Sequence, residues 1–355
     1  MTDATAPTSG ETLTFGQTLK SSDFVGLGIK NGLLNIVTLG IYSFWAKTAT
    51  RRSIWEKVSL NGEAFSYTGN GGELFRGFLL GMLALFAPYM AVVILTVINK
   101  LFMLLIFPLY IALIVALGAA VFMAFRYVAG RTRWRGNRFQ LMGSPVKFGW
   151  SYLGCFLLFC VTLGWFAPAM SMRLSGKLWG SLSYGDKKLE WQRSAKENLY
   201  GPFTLAWLVG VAGYVGLIAM ILSSMPTQPT GGVPDFAFIG RIYAFMLVYI
   251  LAATLASAWY YAALMRAVVG AIRVDDARFA ITVKAIDLIV LSLTNVLILI
   301  FSLGFLLPVV EARSARFVLS RLSSTGKVDL SNVRQAPPSS GADEGLADAL
   351  GISTF

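Results

Sequence analysis

The sequence predicts an all-α polytopic membrane protein with internal repeats: four spanning helices, three re-entrant or interfacial segments and short cytoplasmic β-hairpins. Three observations carry this. Hydrophobic residues fill 56% of the 355 positions, whereas a soluble domain is roughly 45–50% apolar. Several apolar runs reach the roughly 20 residues that cross a ~30 Å hydrocarbon core. One pattern of glycine, aromatic and hydroxyl positions returns three times, and lysine and arginine crowd into particular loops.

Taken in order, residues 1–12 are small and polar and are expected to be disordered. Leu13 to Thr18 suits a short strand. Phe24 to Tyr42 is a first apolar segment holding Lys30, Asn31 and Asn35. Residues 43–77 are polar and basic. Within them Asn61-Gly62 between alternating runs signals a β-hairpin. Phe78–Val97 and Leu101–Phe125 read as spanning helices joined at Ile98-Asn99-Lys100, with a kink at Pro108 that neighbouring helices accommodate. Gly149–Phe166 is a second medium-length apolar segment. Phe203–Leu222 and Tyr243–Leu264 span, joined by a Pro/Gly-rich loop from Ser223 to Ile242. Ile286–Val310 is a third medium-length segment, and 331–355 reads as a disordered tail.

The repeat aligns on Gly40, Gly164 and Gly304. Phe15, Phe139 and Phe279 each stand 25 residues before the glycine. Thr38-Leu39, Thr162-Leu163 and Ser302-Leu303 precede it directly. Trp55 and Trp179 lie 15 after it, and Phe65/Tyr67 match Leu189/Trp191 at 25 and 27 after it. A fixed period of this kind marks duplication. The expected organisation is unit 1 at 13–77, a transmembrane hairpin at 78–125, unit 2 at 126–202, a second hairpin at 203–264 and unit 3 at 265–330.

Charge sets the expected topology. Lys and Arg number five in 43–77, six in 126–148, six in 167–202, four in 265–285 and five in 311–355, against one in each of the loops 98–100 and 223–242. Basic loops face the cytoplasm. The segments 149–166 and 286–310 then have positive charge on both sides and should enter and return. The alternative is seven spanning helices that break the charge rule at two loops. Gly40, Gly164 and Gly304 are the hinge candidates, since glycine relaxes the backbone.

Asn31, Asn35, Thr38, Thr162, Asn295 and Ser302 are candidates for a polar path at membrane depth. The competing reading is helix-to-helix hydrogen bonding. Trp45, Arg51, Arg52, Arg173, Trp179, Arg313 and Arg316 are candidates for contact with the interface and with anionic lipid headgroups. Lys30 and Asp287 flank apolar runs, where snorkelling accounts for them.

Asn31, then Asn35 through Trp45 (NIVTLGIYSFW), then Arg51-Arg52 and Phe65-Ser66-Tyr67-Thr68-Gly69 resemble the signature of the YjgN-like family of bacterial inner-membrane proteins. The resemblance covers about Phe15 to Leu330. Unit 2 departs from it with Pro168 near the position of Trp45. Unit 3 keeps Ser302-Leu303-Gly304 and Pro308. It implies a multi-pass protein of the bacterial inner membrane, with a membrane-associated metallopeptidase as a partner; the charge count places the basic loops and the C-terminal tail in the cytoplasm. It transfers no catalytic residue.

The function classes narrow accordingly. The net charge of +12 fits the positive-inside rule rather than nucleic-acid binding. The chain has no histidine, so Ser-His and Cys-His catalysis are excluded, as are histidine-containing metal sites. Cys155 and Cys160 lie within one apolar run and suit packing. No cofactor and no enzymatic activity are expected. Transport or lipid handling stands first. The alternative is a non-catalytic scaffold or regulator of a partner enzyme.

Overall fold

A computed structural model describes residues 10–193, 198–223, 236–330 and 333. Strand β1 (Phe15–Gln17) leads through a 3-10 turn into α1 (Val25–Val37), and α2 (Ser43–Trp55) runs back. Three short strands follow, β2 (Val58–Leu60), β3 (Glu63–Ala64) and β4 (Ser66–Tyr67). Asn61 (φ 51°) and Gly62 (φ 82°) close the β2–β3 hairpin, the left-handed pair that such a turn demands. The reading of 43–77 as polar loop missed α2. Ala46, Thr50 and Ile54 are buried at four-residue spacing, a narrow inner stripe on a mostly polar helix.

The same order of elements occurs twice more. β5 (Thr132–Trp134) and β6 (Asn137–Leu141) precede α5 (Pro145–Val161) and α6 (Ala167–Trp179), then β7 (Leu182–Tyr184), β8 (Lys187–Lys188) and β9 (Glu190–Trp191). Near the end, β10 (Ile272–Val274) and β11 (Ala277–Ile281) precede α9 (Ala285–Phe301), α10 (Leu307–Leu319) and β12 (Leu322–Thr325). The β5–β6 and β10–β11 hairpins turn at Arg135-Gly136 and Asp275-Asp276. Sequence reading missed both hairpins, because charge obscured the alternation.

Four helices are long and apolar enough to cross a membrane: α3 (Gly71–Ile98), a 3-10 stretch from Lys100 continued by α4 (Ile106–Arg131), α7 (Tyr200–Ser223) and α8 (Phe236–Gly270). Each extends beyond the expected apolar run. Asn70, Asn99 and Asn198 accept backbone N–H bonds at their starts, as N-caps do. Pro108 lies in the first turn of α4, where its missing N–H costs nothing, so no mid-helix kink arises there. Residues 236–242, read as loop, are helical; 224–235 lie outside the described residues.

Each short helical hairpin leaves a sheet and returns to the same place in it. Gln17 pairs with Val58, Leu141 with Leu182 and Ile281 with Leu322. Every one of these pairs is 23 residues before and 18 after its glycine. The sheets in turn exchange strands. The chain shifts at Phe65 so that β4 pairs with β5, and at Leu189 so that β9 pairs with β10. Beyond β12, Val328 pairs with Glu11 at the same register, three residues along. The three sheets therefore form a closed ring. Leu13, Leu60, Trp134, Tyr184, Ala277 and Val328 are buried together at its centre, with Phe15, Phe139 and Phe279 packed against them.

This closure corrects the expected disorder of residues 10–12, because Glu11 is bonded into the ring through both its backbone N–H and C=O. Likewise Val333 packs on the central cluster and accepts from Asn137; residues 1–9, 331–332 and 334–355 lie outside the described residues. Around the ring, α3 and α4 stand between the first and second hairpins, and α8 between the second and third. Among the described residues no pair of long apolar helices separates the third from the first. There α10 packs directly on α1 and α2.

Candidate functional site

The three hairpin tips are built alike. Leu39, Leu163 and Leu303 have φ near +50°, and Gly40, Gly164 and Gly304 have φ of 88°, 86° and 83°. The glycine N–H donates to the carbonyl five residues back, at 2.7–2.8 Å, which ends the first helix in a Schellman-type cap. The hydroxyls of Thr38, Thr162 and Ser302 accept the N–H of Tyr42, Phe166 and Leu306 at 3.0–3.2 Å. Each therefore ties its turn to the residue that immediately precedes the returning helix. Every backbone N–H from Thr38 to Ser43, and from the matching positions in the other two turns, has a partner within its own turn. The tips are nonetheless apolar and open: Leu39 is 93% exposed, Leu163 78% and Leu303 86%.

These hydroxyls thus serve their own turns. Among the described residues no hydrogen bond joins any two of Asn31, Asn35, Thr38, Thr162, Asn295 and Ser302. Asn295 is buried between α9 and α10. It accepts from Arg313 Nε at 3.1 Å and faces Ser314 Oγ at 3.4 Å, while Arg313 also donates to Thr294 at 2.8 Å. Cys155, at the same distance from its glycine in the second hairpin, is buried.

Asn31 is different. It lies on the face of α1 formed by Gly28, Asn31, Gly32 and Asn35, which helical spacing brings together. The glycines admit the last turn closely. A side chain on Gly28 would lie 2.7 Å from the Phe305 carbonyl, and one on Gly32 would collide with the Phe305 ring. Asn31 is 4% exposed and donates to the Ala46 carbonyl at 3.5 Å. Its Oδ1 and that of Asn35 are buried without a hydrogen-bond partner. Such acceptors are scarce in folded proteins.

Lys47 follows Ala46 directly, and Arg51 lies one turn further along α2. Both lie within electrostatic reach of Glu311 of α10, whose carboxyl is pushed above the ordinary carboxylate range because burial outweighs the pull of Arg51 and Lys47. No hydrogen bond or ion pair engages Glu311 among the described residues. Sequence reading missed Lys47 and Glu311. A signal existed: both lie seven residues after their glycines, with opposite charge. The amide acceptors of α1 and the charges of Glu311, Lys47 and Arg51 are two separate sets, since among the described residues no hydrogen bond joins Asn31 or Asn35 to any of the three.

The interface candidates divide. Trp45 packs against Gly71 and Phe75, and Trp179 against Phe125, so each ties its hairpin to a long helix. Arg51 reaches Tyr67 and Arg52 the Gly69 carbonyl. Arg173 and Arg316 are exposed. Asp287 accepts the Lys284 N–H at the start of α9 and faces Arg321 at 3.7 Å, so it acts as a cap.

The family model "Bacterial protein of unknown function (DUF898)" matches residues 13–349. The chain is 39% identical over 61 residues to "Inner membrane protein YjgN" of Salmonella typhimurium (strain LT2), a match covering 17% of this chain and 15% of that protein. It is 39% identical over 64 residues to proteins of the same name in Escherichia coli O157:H7 and K12, covering 18% of this chain and 16% of each. The aligned stretch thus spans less than a fifth of the length of these relatives. No solved structure matches. With the family model spanning nearly all of the ring and its four long helices, the chain belongs to the YjgN-like DUF898 family.

Proposed function

We propose that this is a multi-pass bacterial inner-membrane protein that handles lipid through three re-entrant helical hairpins, repeated around a cytoplasmic ring of small sheets. One observation carries the reading: each hairpin starts and ends on paired residues of one sheet and carries an open apolar tip. Both ends of a hairpin then share one side of the bilayer. The 17 residues of α5 or α9 give about 25 Å, and the 13 of α1 about 20 Å, short of the ~30 Å core. Exposed turns are tolerated in lipid when their polar groups are satisfied, and these N–H groups are. The names of the relatives support the inner membrane as location. Lipid is preferred to solute because the candidate polar residues bond locally and form no linked series.

Cysteine labelling tests the path. In a background lacking Cys155 and Cys160, a cysteine at Asn99 should react from outside and one at Asp186, exposed in the β7–β8 turn, only from inside. One at Leu163 should react from neither side. Reaction of Leu163 from outside would defeat the reading. Lipid exchange in proteoliposomes, run beside a solute panel, tests the activity; solute flux without lipid exchange would reverse the preference.

The scaffold alternative has its own observation. Arg133 stands opposite Arg138 and Arg273 opposite Arg278 across neighbouring strands. Like charges directly opposite are unfavourable, and an acidic surface of a partner such as a membrane-associated metallopeptidase would relieve them. Co-purification that is lost when Arg133 and Arg278 become glutamate would favour this alternative.

A further inference from the structure

The third hairpin carries an arginine that is held in place without being neutralised. Arg313 of α10 is half-buried against α9. Its Nε donates to Asn295 Oδ1 at 3.1 Å and its Nη2 to Thr294 Oγ1 at 2.8 Å. Both acceptors are themselves oriented. Thr294 gives its own proton to the Val290 carbonyl at 2.7 Å. Asn295 Nδ2 donates to Ser314 Oγ, which donates to the Val310 carbonyl at 2.8 Å. The acceptors are neutral. Elsewhere Arg131 meets Glu73, Arg135 meets Glu11 and Glu63, and Arg321 meets Asp287. Among the described residues no acid pairs with Arg313.

This bonding leaves a defined edge. A guanidinium has five N–H groups in a planar fork. Nε and one N–H of Nη2 are taken, so Nη1 and the second N–H of Nη2 form a free edge. Nη1 is not enclosed, unlike the amide oxygens of Asn31 and Asn35, so a ligand can reach it. Two parallel N–H donors match two oxygens of a phosphate. Fixing the fork beforehand lowers the entropy that binding costs. Arg316 lies one turn along the same side of α10, is exposed and has no partner among the described residues. The second hairpin makes the contrast. Its Arg173 also stands nine residues after the glycine, but Cys155 and Gly154 take the places of Asn295 and Thr294. Arg173 is exposed, with no such lock.

We propose that Arg313, assisted by Arg316, binds a phosphate group, and that its source is the headgroup of an anionic phospholipid. This deepens the lipid reading above and rests on it for depth. Arg313 precedes the end of α10 at Leu319 by six residues, about 9 Å. That sets it near the base of a hairpin entering from the cytoplasmic face, where headgroup phosphates lie. An anionic lipid fits better than a zwitterionic one, because neither arginine has an acid partner among the described residues to receive an amine.

The test uses the full-length protein, purified in detergent, delipidated, and titrated separately with phosphatidylglycerol, phosphatidylcholine and inorganic phosphate. Bound lipid is read by native mass spectrometry and stability by thermal unfolding. Wild type should retain phosphatidylglycerol over phosphatidylcholine. Arg313→Gln should lose about tenfold or more in that affinity, the worth of hydrogen bonds to a charged group. Arg313→Lys keeps the charge but not the fork and should fall between; it also serves where glutamine at 313 does not fold. Arg173→Gln should change the affinity by less than about twofold, as for a solvated charge. An equal loss in Arg173→Gln would overturn the proposal, leaving attraction to basic surface in general. So would a lipid preference unchanged in the Arg313 variants, whatever their thermal stability, since Arg313 would then only clamp α10 to α9. Stabilisation by inorganic phosphate without any lipid preference would overturn the lipid source and support the phosphate site. Response to none of the three probes would overturn both. None of these outcomes alters the cysteine labelling at Leu163, so failure here is separable from failure of the re-entrant reading.

Discussion

Replacing Thr162 by valine should cost far more than an ordinary helix cap if the second hairpin tip lies in lipid. Thr162 Oγ1 donates to the Leu158 carbonyl at 2.7 Å and accepts the Phe166 N–H at 3.0 Å. Valine keeps the shape and removes both bonds. Leu158 O keeps the Thr162 backbone N–H at 3.0 Å, so the loss falls on Phe166 N–H. In water that donor is rehydrated, and the change costs about 1 kcal/mol, the typical worth of a side-chain bond to an exposed helix-end N–H. In hydrocarbon nothing replaces the acceptor, and the cost rises to about 2–4 kcal/mol. Serine at 162 should restore most of it. Equilibrium unfolding by SDS in mixed micelles, followed by tryptophan fluorescence, reads the difference. A loss under about 1 kcal/mol would place the tip in water and refute the membrane-embedded turn.

Other positions give further expectations. Trp134→Ala should destabilise by about 3–5 kcal/mol in the same unfolding assay, because the ring is 2% exposed at the centre where the three sheets meet. Gly149→Val should cost about 1–3 kcal/mol, since any side chain there strikes the Val115 carbonyl of α4; a neutral effect would show that α4 and α5 are not in close contact. Glu311 titrates in a definite direction. Its carboxyl is raised in the folded state, so its contribution is full below the ordinary carboxylate pKa and is lost as pH rises through the raised value. Stability should fall over that window in wild type and stay level in Glu311→Gln. A slope identical in the two would remove Glu311 from the junction's electrostatics.

Much of the architecture was legible because it rests on local chemistry. Apolar length marked the four long helices, and Thr-Leu-Gly or Ser-Leu-Gly marked the three tips. Asn61-Gly62 marked a hairpin. What escaped was amphipathic or non-local. The helices α2, α6 and α10 carry too many charges to stand out by hydropathy, and their inner stripes emerge only against a neighbour. The candidate site was half legible. Asn31 and Asn295 occupy the same position relative to their glycines, yet one is satisfied and the other is not. That difference depends on which helix lies opposite.

By itself the sequence determined the membrane, the number of long helices, the position of each turn and the spacing shared by its three segments. These follow from composition and from short-range backbone rules, which act within a few residues. Only the tertiary structure decided the rest. Pairing Gln17 with Val58 and Val328 with Glu11 joins residues far apart in the chain, and it sends each hairpin back to its starting sheet. With no long apolar helix pair between the third hairpin and the first among the described residues, α10 meets α1 directly. In that contact burial strips the amide oxygens of Asn31 and Asn35 of water, and among the described residues no donor takes its place.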